Sequence, residues 1–465
     1  MKRIKYNLAL LLSIVLILSS CKKDFFDINI SPNNPSQATP ALLLPSALAG
    51  TTFVLGGYYQ ALGGFWSQQY AQSPGASQWA TWESYNMTES DFDTRQFSTL
   101  YSGPLYDFEY LRKNTASTSN WSYYAIATLM QAYTFEVLDD LYDQIPFTEA
   151  LKGTGTIQPH YDLGTVVYDS LLARIDKAMA HDFTSSSSVN PGTADIVFNG
   201  DMVKWQRFAN TLKLKMYLRY VNGTDPNKYK TQIVALLTQN NFLTTDATFA
   251  AFRPDQTGYN PFFNTFMDHL GGNVVANKTL TDFLTANSDP RLAKLFAASI
   301  TGATYTGLAT GNAKNFSGNS YKNYATPAVA NIAPVYFFSK EETLFLIAEA
   351  QARYTNAADA QATFNVAVSA SLVSLGLAAN SITYPYNGIQ SIIEQKWVAA
   401  TNKHALESFF DYNRTGYPNF FTESVTSIMQ PGQRPKRLFY PASEHQTNAN
   451  TPVKVALNVK VWWGK

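Results

Sequence analysis

The side chains able to make or break bonds are few and poorly spaced for it. The histidines are His160, His181, His269, His404 and His445. None has a partner at the spacing by which one helix face offers two imidazoles to a metal, and no HExxH occurs. Gly153-Thr154-Gly155 lacks the third glycine of a dinucleotide loop, and no strand clearly precedes it. There is no GxSxG nucleophile elbow and no Walker loop. Asp139, Asp140 and Asp143 cluster at a predicted helix end. Acid–base work or calcium binding is open to them, with solvated carboxylates beside a turn as the plainer reading. The sequence offers no catalytic residue, no metal set and no cofactor site.

Sugar recognition asks for different side chains. A pyranose has one apolar face, which a flat aromatic covers, and a rim of hydroxyls, which amides and charged groups bond. Trp79, Trp82 and Tyr85 lie in a long polar stretch, Ser73 to Phe97, with Gln78, Glu83 and Asn86 between and beside them. Loops of this length are uncommon and often functional. These aromatics are the leading ligand-binding candidates, with Tyr321 next and Tyr324 beside it. Two other roles stay open for them: pinning the loop to neighbouring helices, or resting on a partner protein.

Chemistry can also be done to the chain. Lys2, Arg3 and Lys5 precede an apolar run from Leu8 to Leu18, and Leu18-Ser19-Ser20-Cys21 follows. A basic start and a short apolar run describe an export signal rather than a span of ~20 residues. No second membrane-length segment is read after it. The last four residues resemble the lipobox of bacterial lipoproteins, in which the cysteine is acylated and becomes the mature N-terminus. Cys21 is the lone cysteine, so the chain has no disulfide. Residues 1–20 are thus expected to be a signal peptide and 21–37 a lipid-anchored tether, polar and broken by Pro32 and Pro35. Asp24 and Asp27 follow Lys22 and Lys23, a partial match to the acidic residues that favour surface export.

Residues 38–465 must then position any site. Lys and Arg number 35 against 34 Asp and Glu, so no global field recruits nucleic acid. Charged residues are scarce at 15% and aromatics plentiful at 14%, so stability must come from packing. Thr39-Pro40 opens a helix interrupted by Gly56-Gly57 and Gly63-Gly64. From Asn120 on, Ile126, Met130, Tyr133, Val137 and Leu141 recur at helical spacing and predict one core-facing stripe. After Asp201, Trp205, Phe208, Leu212 and Met216 form an apolar stripe, with Lys204, Arg207, Thr211 and Lys215 on a solvated one. Phe242 to Phe338 reads as loops with a few short strands. Ser339 to Glu342 is a capping box ahead of a buried helix to Tyr354, and a second helix follows Asn356. This pair has the size of a tetratricopeptide unit.

Several segments in order resemble the SusD/RagB family of outer-membrane lipoproteins. They are Leu141 to Leu151, Asp195 to Arg219, Asp289 to Leu292, Phe345 to Ala350, Ile392 to Val398, Glu407 to Pro418 and Arg437 to Asn448. Asp143-Gln144 departs from the Gly-Asp pair common there. The resemblance implies a mainly α fold: tetratricopeptide-like helix pairs as a scaffold, with long irregular insertions and a few short strands carrying the ligand surface. It further implies a nutrient-binding protein, not an enzyme, that delivers oligosaccharides to a TonB-dependent transporter (SusC-like). Peptides or other cargo, or a purely structural lid, are the alternatives. Trp205 and Trp397 are expected in the core, and Arg414 bonded to carbonyls or an acid near a helix end. Palmitate label should enter the wild-type protein and be lost in Cys21→Ala; label retained by the variant would overturn the anchor.

Overall fold

The computed structural model describes residues 38–223, 225–316 and 320–465. Cys21, the export signal and the tether lie outside the described residues. Helix α1 (Pro40–Val54) runs through a π turn at Leu55–Tyr59 into α2 (Gln60–Trp66). Strand β1 (Tyr70–Gln72) and the short helix α3 (Ala80–Glu83) follow. Next come α4 (Tyr106–Ser117), α5 (Trp121–Tyr142), β2 (Gln144–Pro146), β3 (Tyr161–Leu163) and α6 (Gly164–Met179). The middle holds α7 (Met202–Arg219), α8 (Lys230–Gln239), β4 (Ala247–Phe249), β5 (Val274–Ala276) and α9 (Lys278–Ala286). A short α10 (Leu292–Leu295) leads into β6 (Phe296–Ala297), β7 (Thr326–Pro327) and β8 (Val335–Phe338). The last part is α11 (Lys340–Tyr354), α12 (Ala357–Val373), α13 (Gly388–Ala400), α14 (Ala405–Thr415) and α15 (Ala442–Thr447).

Consecutive helices pack as pairs, α4 with α5, α6 with α7, α11 with α12 and α13 with α14. Among the described residues the strands pair in antiparallel twos, β1–β5, β2–β3, β4–β8 and β6–β7. They clip irregular segments to the helices instead of forming a layer. The mainly α expectation holds. The segment Pro40–Trp66 is long and apolar enough to cross a membrane, contrary to the reading that none follows the signal. Its contacts explain the apolarity: α1 packs on α4, and α2 on α14. Gly63 permits that second approach, since a Cβ there would stand 2.3 Å from the Leu406 backbone nitrogen.

Two sequence expectations are corrected by the same feature. Helix α5 is buried on every face from Ser122 to Tyr142, not along one stripe. Lys215 of α7 is fully buried rather than solvated, and so are Asp139 and Asp140. The polar stripe of α7 divides: Lys204 stays exposed and Arg207 bonds Asn241 and Thr244, while Lys215 faces acids of α5 and α14. Lys215 Nζ lies 2.8 Å from Glu136 and 3.4 Å from Glu407. Arg219 bridges Asp140 at 2.9 Å and Glu407 at 2.6 Å. Asp140 also accepts from Tyr168 Oη and from Trp463 Nε1, at 2.5 and 2.6 Å. The lattice continues through Lys396 to Asp411 (2.9 Å), and Arg414 joins Asp411 (2.8 Å) to Glu349 (2.7 Å). Arg414 thus bonds acids, as expected, and Trp205 and Trp397 are core residues. Burial alone would raise the Glu407 carboxyl; Arg219, Lys215 and Lys396 override it and hold it well below the usual range. For Glu136 burial wins over Lys215 and pushes it up to about 8.

Half of the capping box forms. Ser339 Oγ accepts from Glu342 N at 3.1 Å, but the Glu342 carboxylate turns to His404 Nδ1 at 3.0 Å instead of reaching back. Asp143 stands at φ 72°, a conformation suited to the glycine expected there. Its carboxylate accepts from Trp462 N at 2.5 Å and faces Arg437 at 3.5 Å, which ties the turn to the C-terminal segment.

Glu83 is a buried carboxyl outside the lattice. Glu83 accepts from Gln72 N at 3.0 Å and Gly311 N at 2.9 Å, clasping β1 to the 311 turn. Burial pushes it up to about 8 despite those two donors.

Arg219→Met strands Asp140 and Glu407 without their shared partner and should destabilise the fold by about 3–5 kcal/mol in denaturant titration. Lys204→Ala, which removes an exposed pair at 4.0 Å, should change it by less than ~1 kcal/mol. Glu83 has a folded pKa above its unfolded one, so its stabilising contribution is complete below pH 4.5 and is lost as pH rises towards 8. The thermal midpoint of wild type relative to Glu83→Gln should therefore fall between those limits and level off above them.

Candidate functional site

The polar stretch from Ser73 to Phe97 contains α3, and a cleft opens on each side of that helix. The first holds about 270 Å³; Tyr58, Trp79, Trp82 and Phe92 line it together with Gln78, Asp91, Asp93, Arg95 and Gln96. The second holds about 180 Å³, and Gln72, Glu83, Asn86, Lys314 and Thr426 line it. Thr81 contributes to both. Local sequence explains the shape. Gly75 at φ 81° breaks the chain after β1. Trp79 N donates to Gln72 Oε1 at 2.6 Å, and Gln72 Nε2 donates to Asn273 O at 3.2 Å. The loop is thereby fixed to β1 and to the segment ahead of β5.

The aromatic candidates do not present free ring faces. Trp79, Trp82 and Tyr85 are only 3–4% exposed. Trp79 packs on Trp82 at 4.7 Å and on Phe266 at 4.8 Å, and Trp82 packs on Phe92 at 5.1 Å. Tyr58 meets both indoles edge-on. The reason is area: each ring buries ~150–250 Å² of surface, which a loop without regular hydrogen bonding needs for anchorage. The expectation of open stacking platforms is corrected to that of rings pinning the loop, whose edges form a cleft floor. Replacing either indole by Ala would cost ~3–5 kcal/mol of stability, so such variants report folding more than binding.

Tyr321 is half-buried. Its ring lies over Gly272, where a Cβ would stand 2.8 Å from Cδ1. Gly272 O accepts from Ser73 Oγ, so Tyr321 sits one contact from the start of the same loop. Tyr324 is buried in a small cluster with Ala71, Val275 and Leu308. The structure therefore gathers the loop candidates and Tyr321 on one side of the molecule, while Gln78 lines the first cleft and Asn86 the second.

Sequence reasoning did not single out Gln96, Arg95 or Tyr58. Gln96 is 5% exposed, and its side-chain amide bonds no described residue. Arg95 forms no ion pair among the described residues. The two acids have structural duties: Asp91 accepts from Thr88 N at 2.7 Å, and Asp93 from Ser443 N at 2.9 Å. Only the position of Gln96 inside an aromatic loop could have marked it, and that does not separate it from a solvated glutamine.

A larger cleft of about 500 Å³ lies between the Thr244–Asp246 turn and α12. Its acids are already engaged: Asp246 accepts from Lys340 N at 2.7 Å, and Glu341 pairs with Lys403. Beyond these it offers the Lys340 ammonium, neutral hydroxyls and apolar side chains, without the aromatic rings and amides of the cleft at α3. Glu136, Asp140 and Glu407 bring carboxylate oxygens within 4.8 Å of one another, as a metal would require. Lys215 and Arg219 supply the positive charge there. The first cleft offers donors, acceptors and ring edges, and no activated nucleophile. It can hold a neutral polyol.

No curated protein matches the chain. Among solved structures, a SusD homologue of Bacteroides uniformis aligns at 24% identity and TM-score 0.74, covering 91% of this chain and 99% of that one. A chitin-binding SusD homologue of Flavobacterium johnsoniae aligns at 19% identity and TM-score 0.78, covering 90% and 98%. A SusD/RagB family protein of Bacteroides thetaiotaomicron aligns at 20% identity and TM-score 0.72, covering 92% and 100%. Residues 32–441 match the SusD-like family model described as starch-binding and associating with the outer membrane, and the chain belongs to that SusD/RagB family.

Proposed function

We propose that this protein binds nutrient oligosaccharides at the outer membrane and delivers them, unaltered, to a TonB-dependent transporter of SusC type. The family match over residues 32–441 carries this reading. Two chitin-binding proteins among the structural neighbours support a glycan as cargo. The clefts flanking α3 are the proposed contact surface, because they combine ring edges with amides and hydroxyls on a loop fixed from several sides. Cys21 supplies the anchor, and the tether up to residue 37 lets the helical body stand off the bilayer. A lipoprotein of this class carries several acyl chains, and about two already suffice for stable anchoring.

The side chains of the clefts support binding without chemistry. Asp91 and Asp93 are committed to loop contacts, and Glu83 to two backbone N–H groups. A shallow cleft of this kind gives modest affinity, and the transporter complex supplies the residence time.

Full-length protein should be retarded in native gels containing a polysaccharide of its diet and release no reducing sugar from it. It should also co-purify with a TonB-dependent transporter from detergent-solubilised outer membranes. The double variant Gln78→Ala, Arg95→Ala should weaken retention at least ~10-fold with the thermal midpoint kept. Bond cleavage by pure protein, or a blank across a broad glycan panel, would overturn the reading.

A further inference from the structure

Gly311 and Thr426 border the second cleft at α3, and the chain beside each of them leads to another cleft. Ala309, Phe420 and Thr422 line that one together with Lys278, Asp282 and Phe283 of α9, and it holds about 380 Å³. A further cleft of about 420 Å³ shares Lys278 and Asp282 with it and adds Tyr305. Hydrogen bonds fix residues 420–428 along this path. Gln68 Oε1 accepts from Thr279 Oγ1 of α9 at 2.6 Å and from Thr422 N at 3.1 Å. Val425 N donates to Thr310 O at 3.3 Å, and Ile428 N donates to Ser84 O, just past α3, at 3.0 Å. The strip therefore reaches from α9 to α3.

Its side chains alternate in kind. Phe420, Val425 and Ile428 are exposed, and Thr422 and Thr426 bring hydroxyls to the clefts between them. Single exposed apolar residues are ordinary, and a protein-docking surface presents contiguous apolar area. Apolar spots separated by hydroxyls match a glycan chain instead, since each sugar ring has an apolar face and a hydroxyl rim. Phe420 is the open platform that the indoles at α3 are not. It is 36% exposed, and Phe283 backs it at 5.3 Å with the rings 15° from parallel. Lys278 and Asp282 pair with each other on the surface and offer a donor and an acceptor beside it.

Resting on the glycan-binding reading, we infer that the cleft between Phe420 and α9 is a further sugar subsite, which holds one ring of the same chain that lies in the clefts at α3. A short fragment fills one end of this path. A longer chain adds the Phe420 contact while already bound, so the second contact forms intramolecularly. The protein selects extended chains over short fragments.

The test uses two length pairs: tri-N-acetylchitotriose with hexa-N-acetylchitohexaose, and maltotriose with maltohexaose. Calorimetry on the full-length protein in detergent should show, in a pair that binds, the hexasaccharide held at least about tenfold more tightly than the trisaccharide. Phe420→Ala should remove that gain, leave the trisaccharide affinity at its wild-type value and keep the thermal midpoint within a few degrees. If the alanine variant unfolds, Lys278→Ala with Asp282→Ala, which touches only exposed side chains, should weaken the hexasaccharide about threefold and leave the trisaccharide unmoved. Equal affinities for the two lengths in the wild type, or a length gain that survives in a folded variant, overturns the inference and leaves glycan binding standing. A surviving gain joined to lost co-purification with the transporter assigns residues 420–428 to a protein contact instead. Silence of both pairs also overturns the inference, and the native-gel panel then decides whether the glycan reading falls with it.

Discussion

Helices α5, α7, α11, α13 and α14 meet on charge buried away from water. Glu136, Asp140, Lys215, Arg219, Glu349, Lys396, Glu407, Asp411 and Arg414 are each at most 2% exposed. Desolvating so many ions is expensive, and the expense is recovered only when every partner stands in place. Glu407 shows the dependence most directly. It receives Arg219 and Lys215 from α7 and Lys396 from α13, so a shift of either helix uncovers it. Such a lattice contributes less to net stability than to uniqueness. Hydrophobic faces tolerate a small slide, whereas bonds of this length do not, and the relative placement of the helices is thereby set.

This lattice also marks the limit of what could be read from residues alone. Spacing locates α5, α7, α11 and α12, because helical periodicity and caps such as Asp201, whose carboxylate accepts from Val203 N and Lys204 N, are local. Lys215 repeats at the spacing of Lys204 and Thr211, and nothing in that repeat tells a wet face from one meeting Glu136 and Glu407. Charge complementarity between elements far apart in the chain carries no period. The same blindness made Asp139 and Asp140 look solvated; they are buried, and Trp462 Nε1 donates to Asp139 at 2.9 Å.

The loop around α3 shows the converse. Its aromatic content and length marked a region that does carry clefts, yet the rings serve as anchors and the polar residues between them form the walls. An aromatic residue in a polar stretch has two ways to lower its free energy, under the loop or against a ligand. Core neighbours decide between them: Phe65 and Phe266 come from elements the stretch itself does not name. Gln96, by contrast, looks ordinary in sequence, and only its place in the cleft wall sets it apart.

Rigidity and irregularity divide the labour here. The charged lattice holds the helices so firmly that the site needs no regular structure of its own. Short clips, such as β1 with β5 and the Glu83 clasp between Gln72 N and Gly311 N, are enough to fix a loop against that body. A loop fixed in this way loses little entropy when cargo arrives, so a shallow contact area can still bind. Among the described residues no cation pairs with the clasp carboxyl, which lines the second cleft, and burial pushes it up to about 8. A neutral clasp adds no field of its own, so the charge lining that cleft is that of Lys314.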